Sequence, residues 1–172
     1  MGTKTGWSDM IAVFHLSKPG AYYRERYHSI ILDQYRQRSA AEPGALDLVA
    51  AIRRARLPVA VASSSVRPWV EACLERIGLA HQFDVIVTGS EVDQGKPDPA
   101  IYLRAAGALG VDPTGCLAIE DAPAGIESAK RAGMVCWAVR TEYTRGLRLP
   151  DPHREVASLA EIDPTDVVGV PA

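Results

Sequence analysis

Cysteine is scarce in this chain, since only Cys73, Cys116 and Cys136 occur among its 172 residues. An odd number of cysteines placed inside apolar segments does not suit a disulfide framework, so we interpret all three as small buried hydrophobic residues. This use of cysteine is typical of a reducing compartment. We therefore expect the protein to be cytoplasmic.

Long apolar runs and a strong excess of one charge are also missing. No apolar stretch approaches the roughly 20 residues that cross a bilayer, and the N-terminal residues lack a signal-peptide pattern. A formal net charge of -2 gives no basic field for nucleic acid. We expect a soluble protein that binds small molecules and neither nucleic acid nor membranes, and we predict no particular oligomeric state.

From residue 43 onwards, helical and strand patterns alternate. Short apolar segments predict strands at residues 59–62, 84–88, 116–119 and 135–139. Helical periodicity, with proline at helix starts and glycine at helix ends, fills the intervals. This alternation indicates an α/β domain with a doubly wound parallel sheet. A surface loop up to residue 153 and a helical turn at 158–162 are expected to follow.

The first 40 residues have a purely helical pattern. Trp7, Ile11 and Phe14 recur at helical spacing with Ser8 placed to cap, and a second helix is predicted after Lys18-Pro19-Gly20. The tyrosines of the second helix are expected to pack against the rest of the protein rather than to stack on a substrate.

Polar segments follow the first three predicted strands of the sheet. They are Ser63-Ser64-Ser65, Gly95-Lys96-Pro97-Asp98-Pro99 and Glu120-Asp121. Because ligands of open α/β sheets bind at the carboxyl ends of the strands, the three segments point to one site.

Each segment has a structural and a functional interpretation. The serines could cap the next helix, or hold a phosphate together with free N–H groups. Lys96 could be solvated, or neutralise phosphate charge from a backbone that two prolines keep extended. Glu120 and Asp121 could form a turn and a helix cap, or bind Mg²⁺ if a third ligand comes from elsewhere.

This ordered set of hydroxyl cluster, lysine and acidic pair resembles motifs two, three and four of the haloacid dehalogenase-like hydrolases. The resemblance covers about residues 41–139 and is nearest to the branch of β-phosphoglucomutase and small sugar-phosphate phosphatases. It implies a Rossmann-like core at 41–172 and a partial helical cap at 1–40. It also implies site roles for six residues: catalysis by Lys96 and Ser63, phosphate binding by Ser63, Ser64, Ser65 and Lys96, and Mg²⁺ binding by Asp121 and Glu120.

The family's nucleophile has no counterpart in this sequence. It is the first aspartate of an Asp-x-Asp motif on the first strand, and no two aspartates are separated by one residue here. The resemblance implies Mg²⁺-dependent phosphoryl transfer on a small sugar phosphate, as a phosphatase or a phosphomutase. We expect an N-terminally truncated chain that lacks the first strand and is catalytically incomplete. The alternative is a non-catalytic remnant that binds phosphate or a partner.

Overall fold

Five short parallel strands form the centre of the protein in a computed structural model that describes residues 9–168. They are β1 (Ala60–Ser63), β2 (Val85–Thr88), β3 (Leu117–Glu120), β4 (Val135–Val139) and β5 (Arg154–Val156). The first four confirm the predicted strands to within one residue. The sequence analysis missed β5, because three residues that include an arginine and a glutamate carry no apolar strand pattern.

Helices precede, connect and follow the strands, and all but the last match the predicted periodicity. They are α1 (Gly20–Arg38), α2 (Ala45–Arg54), α3 (Arg67–Arg76), α4 (Ala100–Leu109), α5 (Pro123–Arg131) and a short α6 (Pro164–Val168). Residues 9–13 are also helical, whereas the predicted helix start at Trp7 and Ser8 lies outside the described residues. The predicted turn at 158–162 is confirmed as the 3-10 helix Leu159–Glu161. No helix in the described part is long and apolar enough to span a membrane.

The strands form two parallel sheets instead of one continuous sheet. β1 pairs with β2, and β4 lies between β3 and β5. The α/β class and the parallel strands confirm the predicted fold. The interruption lies between β1 and β3, which are both terminal strands.

Backbone groups lack ladder partners among residues 9–168 on the edges of β1 and β3 that face the interruption. On the opposite, paired edges, the Asp84 N–H bonds to the Val59 carbonyl at 2.9 Å, and the Val135 N–H bonds to the Cys116 carbonyl at 3.0 Å. These bonds show which carbonyl groups point towards the partner strand. Because peptide groups alternate direction along a strand, the Ala62 carbonyl points away from β2. Half-buried backbone groups without partners destabilise the fold, so each edge favours pairing with another strand.

The core lies on both faces of the second sheet. Side chains alternate along β4, so that Cys136 packs with α4 and α5, whereas Trp137 packs with Leu48 of α2. Ile126 of α5 is fully buried in the first of these clusters. Helices on both faces hold the carboxyl ends of β1, β2 and β3 in place.

The N-terminal helix α1 packs on α3 through aromatic rings. Trp69 lies 5.8 Å from Tyr27, 5.4 Å from His28 and 6.3 Å from Tyr35 between ring centroids. This confirms the predicted packing role for two of the tyrosines. The division into a cap at 1–40 and a core at 41–172 stays a prediction.

Candidate active site

Lys96 lies in the loop between β2 and α4, and its side chain is only 11% exposed. Its ammonium group donates to the Ala62 carbonyl at 3.0 Å and to the Glu120 carboxylate, with the Tyr102 hydroxyl at 3.4 Å. The alternative of a solvated lysine is therefore wrong. Lys96 joins the carboxyl ends of β1 and β3 across the interval between the two sheets.

The loop that carries Lys96 is a turn, so the expectation of an extended backbone is wrong. The Asp98 N–H bonds to the Gly95 carbonyl at 3.1 Å, and the Asp98 carboxylate accepts from the Ala100 N–H at 2.9 Å. The buried Ser128 hydroxyl donates to the Asp98 carbonyl at 2.6 Å. The sequence pattern could not show this, because Ser128 lies 30 residues away on α5.

Glu120 ends β3 and has a side chain that is 9% exposed. Its Oε1 accepts hydrogen bonds from both Lys96 and Tyr102, whereas its Oε2 has no partner among the described residues. Gly125 leaves room for this carboxylate, because a Cβ atom at that position would overlap it. One oxygen of Glu120 thus holds the lysine, and the other makes no hydrogen bond within residues 9–168.

Asp121 is exposed at the carboxyl end of β3. It does not cap the following helix, since the cap residue of α5 is Ala122 and no side chain caps that end. The pKa of Asp121 is raised, mainly because surrounding protein displaces water from the carboxyl group, and secondly because of the like charge of Glu120. A cation bound beside Asp121 would favour its ionised form.

The serines end β1 without capping α3. The cap residue of α3 is Val66, with no side-chain hydrogen bond, so the capping interpretation is wrong. Ser63 Oγ accepts from the Ser65 N–H at 3.1 Å, and Ser64 is exposed. Ser63 is adjacent to Ala62, whose carbonyl holds Lys96, and this places the serine cluster beside the lysine.

Tyr102 is the site residue that the sequence analysis missed. It lies on α4 with 7% exposure, and its hydroxyl donates to Glu120 Oε1. Burial, followed by the charge of Glu120, raises its pKa far above the ordinary value. Its place on the apolar face of a predicted helix gave no signal beyond that of a core residue.

Arg67 is the first residue of α3 and contacts the neighbouring strand. Its guanidinium donates to the Ile86 carbonyl at 2.8 Å and to Glu91 at 2.7 Å. It ties α3 to β2.

The acidic pair fits Mg²⁺ in part. Magnesium prefers hard oxygen ligands, and Asp121 together with the free oxygen of Glu120 supplies two at one edge of the sheet. Within residues 9–168, no group of three His, Cys, Asp or Glu side chains is arranged to hold a metal ion. A complete site would need ligands from water, from a substrate or from residues outside this range.

Known proteins are similar to this chain in both sequence and fold. The profile of the haloacid dehalogenase-like hydrolases matches residues 10–133. The chain is 36% identical to YhcW of Bacillus subtilis (strain 168), over 91% of this chain and 77% of that protein. It is also 36% identical to fructose-1-phosphate phosphatase YqaB of Escherichia coli (strain K12), over 78% of this chain and 72% of that protein.

A solved structure extends these matches to three dimensions. CbbY from Rhodobacter sphaeroides in complex with phosphate aligns with a TM-score of 0.79 and 32% identity, over 85% of this chain and 67% of that chain. The share of each relative that the chain covers differs. For another curated phosphatase, the chain spans 47% of that protein's length.

Proposed function

This chain belongs to the haloacid dehalogenase-like hydrolases, in the branch of sugar-phosphate phosphatases, and we propose that it supplies the charge-stabilising part of a Mg²⁺-dependent phosphoryl-transfer site. The substrate would be a small phosphorylated sugar. The free cysteines fit a cytoplasmic location, which belongs to the same proposal.

The contact of Lys96 with both sheets supports this proposal most strongly. A buried ammonium group between the carboxyl ends of β1 and β3 lies where ligands of open α/β sheets bind. In such a position it can offset negative charge on phosphoryl oxygens with little screening by water.

The other residues would have complementary roles. The hydroxyl and N–H groups of residues 63–65 would bind phosphate oxygens beside the start of α3. Asp121 and the free oxygen of Glu120 would hold Mg²⁺, which neutralises charge on the phosphoryl group. Lys96 would act as the fixed cation of the site.

The attacking group is the part that these 172 residues lack. In the family it is an aspartate on a first strand, and no Asp-x-Asp motif occurs here. We propose that the chain is an N-terminally truncated enzyme whose nucleophile lies on a segment outside the given sequence. A non-catalytic remnant that binds phosphate or a partner is the second candidate, and the missing motif is compatible with both.

Upstream coding sequence separates the two candidates. An in-frame Asp-x-Asp within several dozen codons would support the enzyme. A stop codon directly upstream would support the remnant.

Titration of inorganic phosphate in the presence of Mg²⁺, followed by calorimetry, tests the shared site. We expect weak binding that Lys96→Ala reduces by about tenfold or more, because a hydrogen bond to a charged group contributes about 1.5–3 kcal/mol. Lys18→Ala is the matched control, since Lys18 is exposed and its side chain has no partner among the described residues. Unchanged affinity in Lys96→Ala would show that the residues do not form one site.

A further inference from the structure

The hydroxyl group of Tyr102 makes contacts that its packing does not require. The ring packs in the core with Ile101 and Ala106, and a phenylalanine would fill the same space. The hydroxyl, however, donates to Glu120 Oε1, the same oxygen that accepts from Lys96. Two donors on one oxygen fix the position of that oxygen.

The contacts of Lys96 are of unequal strength. An ammonium group has three donors, and two of them make good bonds to Ala62 and Glu120. The third points towards the Tyr102 hydroxyl at 3.4 Å, which is long for a hydrogen bond between these atoms. The Lys96 ammonium also lies 4.9 Å from the centre of the Tyr102 ring, so the tyrosine confines it without binding its third donor tightly.

We propose that Tyr102 is a positioning residue that fixes the Glu120 carboxylate, so that Lys96 keeps one donor for a phosphate oxygen. This inference rests on the proposed phosphate site. Without the hydroxyl, Glu120 Oε1 loses a donor and the carboxylate can rotate. Lys96 would then follow Glu120 and lose its fixed position.

The position of Lys96 can be tested without any ligand. In the full chain labelled with ¹⁵N, the Lys96 ammonium should give a distinct Nζ resonance, because buried and hydrogen-bonded ammonium protons exchange slowly. In Tyr102→Phe we expect this resonance to shift or to broaden beyond detection. Tyr143→Phe is the matched control, since Tyr143 is 81% exposed, and it should leave the resonance unchanged. An identical Lys96 resonance in Tyr102→Phe would overturn the inference.

The effect on binding is measured with inorganic phosphate and Mg²⁺ on the same variants. We expect Tyr102→Phe to weaken binding by roughly three- to tenfold, the range for one hydrogen bond. In a Glu120→Ala background, which has no acceptor for the Tyr102 hydroxyl, the same substitution should have little further effect, because Tyr102 acts through Glu120. An equal loss in both backgrounds would overturn the inference.

Phosphate binding and the Lys96 resonance distinguish a failure of the proposed function from a failure of the role proposed for Tyr102. If the unmodified chain bound no phosphate, the proposed function would fail, and the Lys96 resonance would still decide the role of Tyr102. Thermal unfolding of Tyr102→Phe shows whether the variant is folded. Should it be unfolded, Tyr102→Trp replaces it, and an unchanged Lys96 resonance in that variant would contradict the inference.

Discussion

The lack of a side chain at Gly125 leaves room for the Glu120 carboxylate. Glycine in a helix normally destabilises it, so Gly→Ala in an open position stabilises a protein by about 0.5–1 kcal/mol. At Gly125 the added methyl group would overlap the Glu120 carboxylate. We expect Gly125→Ala to lower the free energy of unfolding by about 1–3 kcal/mol, as overpacking does, and to weaken phosphate binding.

Gly107 on α4 provides the control for this substitution. It is exposed, and a Cβ atom there would have no neighbour within 4 Å. Chemical denaturation should therefore show Gly107→Ala to be as stable as the parent or more stable. Stabilisation by Gly125→Ala as well would contradict the tight contact with Glu120.

The sequence predicted that Lys96 and Glu120 lie together at one edge of the strands, but it did not predict the hydrogen bonds that they make. Lys96 and Glu120 follow separate strands, and the rule that carboxyl ends of parallel strands share an edge brings them together. Their direct ion pair and the contact with Tyr102 depend on side-chain directions across three elements. No local pattern encodes such directions, so Glu120 was predicted only as a metal ligand.

At the scale of elements, the interval between β1 and β3 is the main departure from a continuous sheet. The four predicted strands carry apolar runs, which made them visible, whereas β5 is held by pairing with β4 rather than by its own pattern. The resemblance led us to expect that the first strand is missing, but it left open whether the remaining strands would pair with each other or stay in two sheets. Lys96 crosses only the carboxyl end of the interval.

Supplying a strand should therefore stabilise the protein. We expect the unaided chain to be marginally stable and prone to aggregate, because the edges of β1 and β3 that face the interruption lack ladder partners among residues 9–168. An apolar strand added in cis or as a peptide should raise the midpoint of thermal unfolding. A peptide of the same composition with a central proline is the control, since proline interrupts the ladder.

Thermal unfolding of the unaided monomer also has an outcome that would refute this expectation. A sharp, cooperative transition at high temperature would mean that the two sheets are complete as they stand. The chain would then not be a fragment of a larger sheet.

At the scale of the whole molecule, the protein combines a cation, two carboxylates and a serine loop at one edge of its strands. We propose that these groups bind and neutralise a phosphoryl group, and none of them corresponds to the nucleophile of the family. Positioning and charge stabilisation do not replace the attacking group. The chain should therefore bind phosphate but should not turn over sugar phosphates.

Turnover of a panel of sugar phosphates with Mg²⁺ is the most direct test of this account. The chain alone should show no phosphate release above background, and a fusion that adds an apolar strand ending in Asp-x-Asp should release phosphate. Asp121→Asn should abolish the activity of the fusion. Phosphate release by the unaided chain that disappears in Asp121→Asn would contradict the account, because these residues would then contain a complete active site.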